Sequence, residues 1–212
     1  MAIETSKTLG GVGAILMFVG VIPIVNSYAI LELIGVILVM IALYNMASYY
    51  SERGIFNNAL YGLIVGIVGG VISVAVIIIT VLTSLTNFLS TLFPDWNGDW
   101  AALSGLTPNT ANLDPSAILP FLGGIFAVFV ILWVFSIIGA FFVRRSLMSL
   151  SSKTSVGLFS TAGLLLLIGA VLIIAFGLGL ILMWISALLL AIAFFTIKPQ
   201  ESQPAMAVAA PS

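Results

Sequence analysis

Long uninterrupted apolar runs are the feature of this sequence that most constrains its fold. A helix needs about 20 apolar residues to cross the hydrocarbon core of a bilayer, and runs of this kind occupy most of the chain. Of the 212 residues, 62% are apolar and only 6% are charged. A soluble domain of this size exposes too much surface to hide so many apolar side chains. The sequence therefore predicts an all-α integral membrane protein.

The apolar runs divide into six predicted transmembrane helices. Pro23, Asn26 and Ser27 predict a tight turn after the first run, and one long loop is expected over about residues 93–117. We expect a single membrane domain over residues 1–198 and a disordered cytoplasmic tail over 199–212, because the tail has no apolar periodicity. The predicted helices cover about residues 9–25, 28–47, 58–82, 118–143, 156–175 and 178–197, and helical character of the third can extend to Leu92.

The basic residues predict the orientation in a cell membrane. Threading six helices places all 6 Lys and Arg residues on one side, and basic residues mark the cytoplasmic side. Both termini are therefore expected in the cytoplasm, with the long loop outside. An alternative is that the first run is a signal peptide cleaved near Ala29, but its length and the run that follows at once favour a helical hairpin. The basic residues are Lys7, Arg53, Arg144, Arg145, Lys153 and Lys198.

Two of the predicted hairpins, helices 1–2 and helices 5–6, share short sequence motifs. Ser-Lys-Thr precedes each of them, at residues 6–8 and 152–154, and Gly-Val-Ile-Leu at 35–38 is similar to Gly-Leu-Ile-Leu at 179–182. Both hairpins would begin on the cytoplasmic side, so a duplication would be of the parallel kind. Coincidence within low-complexity apolar sequence is the alternative.

Several small-residue and aromatic motifs are familiar from a known family. They are SKTLGGVGAIL at residues 6–16, IFNNAL at 55–60 and AIAFF at 191–195, together with Phe159, Ala162, Gly163, Gly169 and Ala170. Over residues 6 to about 199 the chain resembles a family of archaeal multi-pass membrane proteins of unknown function. The resemblance implies an archaeal source and a membrane location. It implies no activity, substrate or catalytic residue.

Glu32 is the only carboxylate inside an apolar run, and it is the first candidate for a functional site. An ionisable side chain in hydrocarbon costs at least about 2.5–3.5 kcal/mol on insertion scales. Glu32 lies close to the start of the second run, however, where an interfacial position or the helix dipole would favour its charge. A proton- or cation-binding role and a structural hydrogen bond to Thr80, Ser84 or Asn87 are the alternatives.

Polar and small side chains recur at helical spacing on the third run. Thr80, Ser84, Asn87 and Thr91 follow one another at steps of four, three and four, which places them on one face of a regular helix. They would line a polar vestibule, or simply mark the point where the helix leaves the membrane.

A second pattern on the third run consists of glycines. Gly62, Gly66 and Gly70 form a predicted packing ridge at steps of four, since glycine lets two membrane helices approach closely. The ridge would serve packing within the chain or a homo-oligomer interface.

The residue types that the sequence lacks exclude most catalytic and metal-binding chemistry. The chain has no Cys and no His, which excludes disulfides, thiolate nucleophiles, Ser-His triads and the usual zinc sites. No Asp or Lys falls within a predicted span, as intramembrane proteolysis would require. A net charge of -1 argues against nucleic-acid binding. We expect no enzyme and no cofactor.

Two classes of function remain. The first is a non-catalytic membrane protein that acts through helix packing, as an oligomer or as an accessory subunit of another membrane protein. The second is a transporter or channel for a small solute or ion that uses Glu32 and the polar stripe of helix 3. A polar cavity that reaches Glu32 would favour transport, and a dry bundle would favour packing.

Overall fold

The computed structural model describes residues 3–22, 30–112, 115–175 and 177–198, and these are helical throughout apart from turns and loops. The predicted all-α class is therefore confirmed. The predicted turn over residues 23–29 and the predicted tail over 199–212 lie outside the described residues. The helices are α1 Ile3–Gly20, α2 Ile30–Tyr49, α3 Arg53–Thr80, α4 Thr86–Leu92, α5 Pro115–Thr154, α6 Gly157–Leu172 and α7 Leu178–Thr196.

Among the described residues, four helical segments are long and apolar enough to cross a membrane. The two longest contain 40 and 37 residues, about 55–60 Å at 1.5 Å per residue, so each extends beyond a hydrocarbon core of about 30 Å. Of the other two long helices, α6 is apolar but has only 16 residues, and α1 begins with a polar first turn. The four segments are Ile30–Tyr49, Arg53–Leu92, Ile118–Thr154 and Leu178–Thr196.

Charged residues end the apolar runs but not the helices. The sequence predicts that Arg144 and Arg145 stop the fourth span, whereas α5 continues through both to Thr154. Likewise α1 begins at Ile3 rather than near Leu9, because Glu4 and Lys7 are good helix formers and pair across one turn at 3.5 Å. The predicted extension of the third helix to Leu92 is confirmed.

The helices form three antiparallel hairpins arranged in a ring. The hairpins are α1–α2, α3–α5 and α6–α7, and within each of them the two helices pack most extensively. Between hairpins, α5 packs on α6 and α7 packs on α1, while the contact of α2 with α3 is the least extensive of the three. This arrangement brings all the Lys and Arg residues in the described part to one end of the bundle, called the basic end below.

Each hairpin crosses at a pair of glycines. A Cβ added to the first glycine of each pair would lie 2.7, 2.9 and 2.7 Å from the carbonyl oxygen of the second, closer than any side chain fits. The backbones therefore touch, as is typical of helix packing in membranes. The pairs are Gly13 with Gly35, Gly62 with Gly139, and Gly169 with Gly179.

Two of the hairpins share a buried hydrogen bond at equivalent positions. Seven residues after the second glycine, the Ser146 hydroxyl donates to the carbonyl of Ile55, and the Ser186 hydroxyl donates to that of Ala162 at 2.7 Å. Both acceptors lie seven residues before the first glycine of their hairpin. In the α1–α2 hairpin the corresponding position is Ala42, which is fully buried.

The turns that follow the first two hairpins also match. Ser51 and Ser155 each lie 16 residues after the second glycine of their hairpin, and both adopt a left-handed backbone, with φ of 52° and 56°. The two Ser-Lys-Thr motifs, in contrast, do not correspond, because residues 6–8 lie within α1 and residues 152–154 end α5.

Tryptophan side chains join two of the three junctions between hairpins. At α7–α1 the Trp184 indole donates to the carbonyl of Phe18 at 2.8 Å and stacks on the Phe18 ring at 4.6 Å. At α5–α6 the Trp133 indole donates to the carbonyl of Val171 at 3.2 Å. Helices α2 and α3 contain no Trp. This third junction is the loosest.

The tightly packed core lies toward the basic end. Its largest fully buried side chains include Phe159 and Phe194, whose rings meet edge to face at 5.1 Å. The core cluster draws on residues near the start of α1, α3 and α6 and near the end of α2, α5 and α7. Farther from the basic end the ring of helices surrounds open space.

Candidate functional site

An apolar cavity of about 440 Å³ lies inside the ring of helices. Every long helix contributes to its wall, so the cavity belongs to the bundle as a whole. Its size falls within the range of ligand pockets, about 300–1,000 Å³. Its lining includes Met17 of α1, Met40 of α2, Gly66 of α3, Val143 of α5, Leu166 of α6 and Met183 of α7.

The cavity wall is almost entirely apolar. Within the part of the chain that the structure describes, no ionisable side chain lines it, and its one polar side chain is Ser186, whose hydroxyl is already donated to Ala162. Water needs two to four polar partners to remain in a buried space. The three methionines in the wall are unbranched and adaptable, which suits apolar ligands of variable shape.

The cavity is not closed, because Gly66 and Ile67, which line it, are exposed. Its apolar wall offers water few polar partners. We therefore expect hydrocarbon to fill the cavity.

Glu32 lies away from the cavity wall. It belongs to the first turn of α2 and is exposed. With the described residues it forms no hydrogen bond and no ion pair, so the structure does not bring it together with Thr80, Ser84 or Asn87. Phe176, the equivalent position in the proposed repeat, lies outside the described residues.

The polar stripe of the third predicted helix crosses a change of helix type. Thr80 is buried and packs against Gly124 of α5, whereas Ser84 is half-buried and Asn87 is exposed. A π-helical turn over Val81–Leu85 separates Thr80 from α4. Because a π turn adds a residue to the regular repeat, the spacing of the stripe does not keep these side chains on one buried face.

The three glycines of the predicted ridge have different surroundings. Gly62 is buried against Gly139, whereas Gly66 and Gly70 have no neighbouring atom within 4 Å of an added Cβ. Gly66 faces the cavity. The contact with α5 instead continues at Gly69, which packs on Phe135. The signal that could have identified Gly69 is its spacing of seven residues from Gly62, typical of helices that pack along their length.

A polar pocket opens between helices α2 and α3 at the basic end. It is lined by Tyr44, Ser48, Arg53 and Asn57, among others. Arg53 is exposed and forms no ion pair with the residues that the structure describes. Sequence reasoning used Arg53 only as a marker of orientation, because nothing in the sequence shows that it faces a pocket.

Tyrosines surround this end of α2. Tyr44 meets the Phe56 ring edge to face at 5.2 Å, and Tyr49 and Tyr50 are 4.9 Å apart. Burial raises the pKa of the Tyr50 phenol, and the neighbouring Tyr49 adds to the rise. The phenol of Tyr50 therefore stays protonated at neutral pH, as suits a residue in an interfacial aromatic belt.

The loop between α4 and α5 holds a short capped turn. Asp99 accepts a hydrogen bond from the amide of Ala101 at 2.9 Å and caps a 3₁₀ helix over Trp100–Gly105. The Trp96 indole donates to the carbonyl of Asp99 at 2.7 Å. Within the described residues, no cluster of three or more potential metal ligands exists.

These features define a class: the chain is a helical membrane protein, with long apolar helices arranged around a dry cavity. The chain belongs to the DUF996 family of proteins of unknown function, which it matches over residues 31–188. It is also 30% identical over 200 residues to the uncharacterised protein MJ1644 of Methanocaldococcus jannaschii, an alignment that covers 93% of this chain and 94% of that protein. No solved structure matches it significantly. The predicted resemblance to an archaeal family of unknown function is confirmed.

Proposed function

We propose that this protein is a non-catalytic integral membrane protein that acts through helix packing, as an oligomer or as an accessory subunit of another membrane protein. The observation that carries the proposal is the dry interior. Among the described residues, the wall of the central cavity has no ionisable group, and the buried hydroxyls of Ser146 and Ser186 are both used within the bundle. A path for ions or polar solutes needs polar groups along its length.

The proposal includes six membrane crossings with both termini in the cytoplasm. Helices α1 and α6 are shorter in apolar length than the others, but each packs against a long apolar partner at a glycine pair. Each therefore runs at the same depth as its partner. The location of the basic residues at one end then supports a cytoplasmic basic end.

We also infer that the bundle is a parallel repeat of hairpins, with α3–α5 as a third copy beside the two predicted from sequence. Support comes from the equivalent glycine pairs and from the equivalent hydroxyl bonds of Ser146 and Ser186. The turns at Ser51 and Ser155 add a third correspondence. A bundle of repeated hairpins without a polar path is consistent with a protein that acts through helix packing.

Ion flux through reconstituted protein tests this function against the transporter alternative. Wild type, Glu32→Gln and Glu52→Gln are inserted in liposomes, and proton and cation flux are measured. Glu52 is the matched control, because it lies at the basic end and pairs with Lys153 at 3.5 Å. We expect no flux above that of protein-free liposomes for any of the three. Flux in wild type and Glu52→Gln that Glu32→Gln abolishes would overturn the proposal.

A further inference from the structure

We propose that the α2–α3 junction binds one anionic membrane lipid of the cytoplasmic leaflet. Its phosphate would lie at Arg53, and one of its hydrocarbon chains would enter the central cavity. This inference rests on the membrane placement proposed above, but not on the absence of transport. It assigns a ligand to the cavity and to the polar pocket together.

The cavity opens sideways between α2 and α3. Gly66 and Ile67 line it on the α3 side, and both are exposed, Ile67 to 57%. Gly66 has no side chain to close the gap, and no atom lies within 4 Å of its added Cβ. Away from the basic end, the other two junctions are joined by Trp133 and Trp184, whereas the ring contact of Tyr44 with Phe56 joins α2 and α3 only nearer the basic end. A hydrocarbon chain of a surrounding lipid can therefore enter the cavity between α2 and α3.

The cavity and the polar pocket follow one another along the α2–α3 junction, and the ring contact of Tyr44 with Phe56 lies where they meet. Val36, Met40, Tyr44 and Ser48 recur every four residues along one stripe of α2. The first two line the cavity, and the last two line the polar pocket. From Ser48 to Val36 the stripe rises about 18 Å at 1.5 Å per residue. That is close to the depth of one leaflet, about half of a 30 Å hydrocarbon core.

The polar pocket has the charge that a phosphate requires. Arg53 supplies a guanidinium that binds phosphate oxygens in pairs, and Tyr44 and Asn57 add neutral donors, while the Ser48 hydroxyl is donated to the carbonyl of Tyr44 at 3.1 Å. No carboxylate lines the pocket among the residues that the structure describes. The adjacent carboxylate, Glu52, is paired with Lys153 at 3.5 Å. Basic pockets between membrane helices on the cytoplasmic side are typical sites for anionic headgroups.

The length of the cavity favours a hydrocarbon chain over a helix from another protein. The residues of α2 that line the cavity run from Val36 to Leu43, about 10 Å of helix. A membrane helix that crosses a core of about 30 Å would leave most of its length outside the cavity, whereas a lipid chain of one leaflet can enter it from the side.

Native mass spectrometry of the full chain in detergent measures the bound lipid directly. The probes are dioleoyl phosphatidylglycerol, dioleoyl phosphatidylcholine and free glycerol phosphate. We expect one phosphatidylglycerol bound per chain, at least fivefold more tightly than phosphatidylcholine, and no competition from glycerol phosphate. Equal affinity for the two lipids, or displacement by glycerol phosphate alone, would overturn the proposal.

Two pairs of variants locate the site. Gly66→Leu should fill the opening and lower affinity at least tenfold, whereas Gly70→Leu, also in open space but outside the cavity wall, should bind as wild type does. Arg53→Gln should lower the affinity for phosphatidylglycerol to that for phosphatidylcholine, whereas Arg145→Gln, another exposed arginine of the basic end, should retain the difference. Equal effects within either pair, in protein that remains monodisperse and helical, would contradict the assignment while leaving the proposed function untouched.

Discussion

At the scale of single residues, two buried hydroxyls show that a hydrogen-bond partner decides whether a buried polar group stabilises or destabilises the fold. Ser186 and Ser73 are both almost fully buried at helix contacts. The Ser186 hydroxyl donates to the carbonyl of Ala162, whereas the Ser73 hydroxyl has no hydrogen-bond partner among the described residues. A buried hydroxyl without a partner loses its hydration and gains nothing in return.

Opposite effects are therefore expected from the same substitution at the two positions. Ser186→Ala should lower the free energy of unfolding by about 0.6 kcal/mol, the average for hydrogen bonds between membrane helices. Ser73→Ala should leave it unchanged or raise it, because an unsatisfied polar group is removed. Denaturant unfolding in mixed micelles measures both. Destabilisation by Ser73→Ala equal to that by Ser186→Ala would contradict the difference in partners.

The glycine pairs give a second test at this scale. In Gly179→Ala the new Cβ would overlap the carbonyl oxygen of Gly169, and backbone cannot move away as a side chain can. We expect a loss of about 1–3 kcal/mol. Gly123→Ala in α5, where no atom lies within 4 Å of the Cβ, is the control and should stabilise slightly through its helix propensity. Similar melting temperatures for the two variants would mean that α6 and α7 do not touch at this pair.

At the scale of elements, the junctions between hairpins differ in how they are held. The indole of Trp184 provides both a ring that stacks on Phe18 and a donor to its carbonyl. Trp184→Phe keeps an aromatic ring but removes the donor and part of the stacked area. We expect a loss of at least about 0.6 kcal/mol in unfolding free energy, the average for one hydrogen bond between membrane helices. Trp100→Phe, in the exposed turn after α4, should show no change. A loss at Trp100 as large as that at Trp184 would contradict the role of the junction.

The elements themselves were predictable from sequence only in part. The apolar runs predicted the helices and the long loop between the third and fourth of them. The extension of α5 beyond Arg145 was not predicted, because charge ends a membrane span without breaking a helix. The π turn over Val81–Leu85 was not predicted either, since its Thr and Ser residues fit an ordinary helix equally well.

At the scale of the whole molecule, the sequence predicts which ends of the helices share a side of the membrane, but not which helices touch. In water, a helix shows its buried face by an apolar stripe. In lipid, both faces are apolar, so that signal is absent and only small residues indicate contact. For this reason the sequence identified Gly62, Gly66 and Gly70 as a set. The structure distinguishes Gly62, which contacts α5, from Gly66, which faces the cavity.

We propose above that the ring of three hairpins crosses the membrane six times with its basic end in the cytoplasm. Because the chain contains no Cys, single cysteines can be introduced without background and labelled in intact cells with a membrane-impermeant thiol reagent. Cysteines at Asn26, Asn97 and Ala175 should be labelled from outside, and those at Ser51, Ser152 and Ser202 only after the cells are permeabilised. Labelling of any position in the second group in intact cells, or protection of any position in the first, would contradict six crossings with a cytoplasmic basic end.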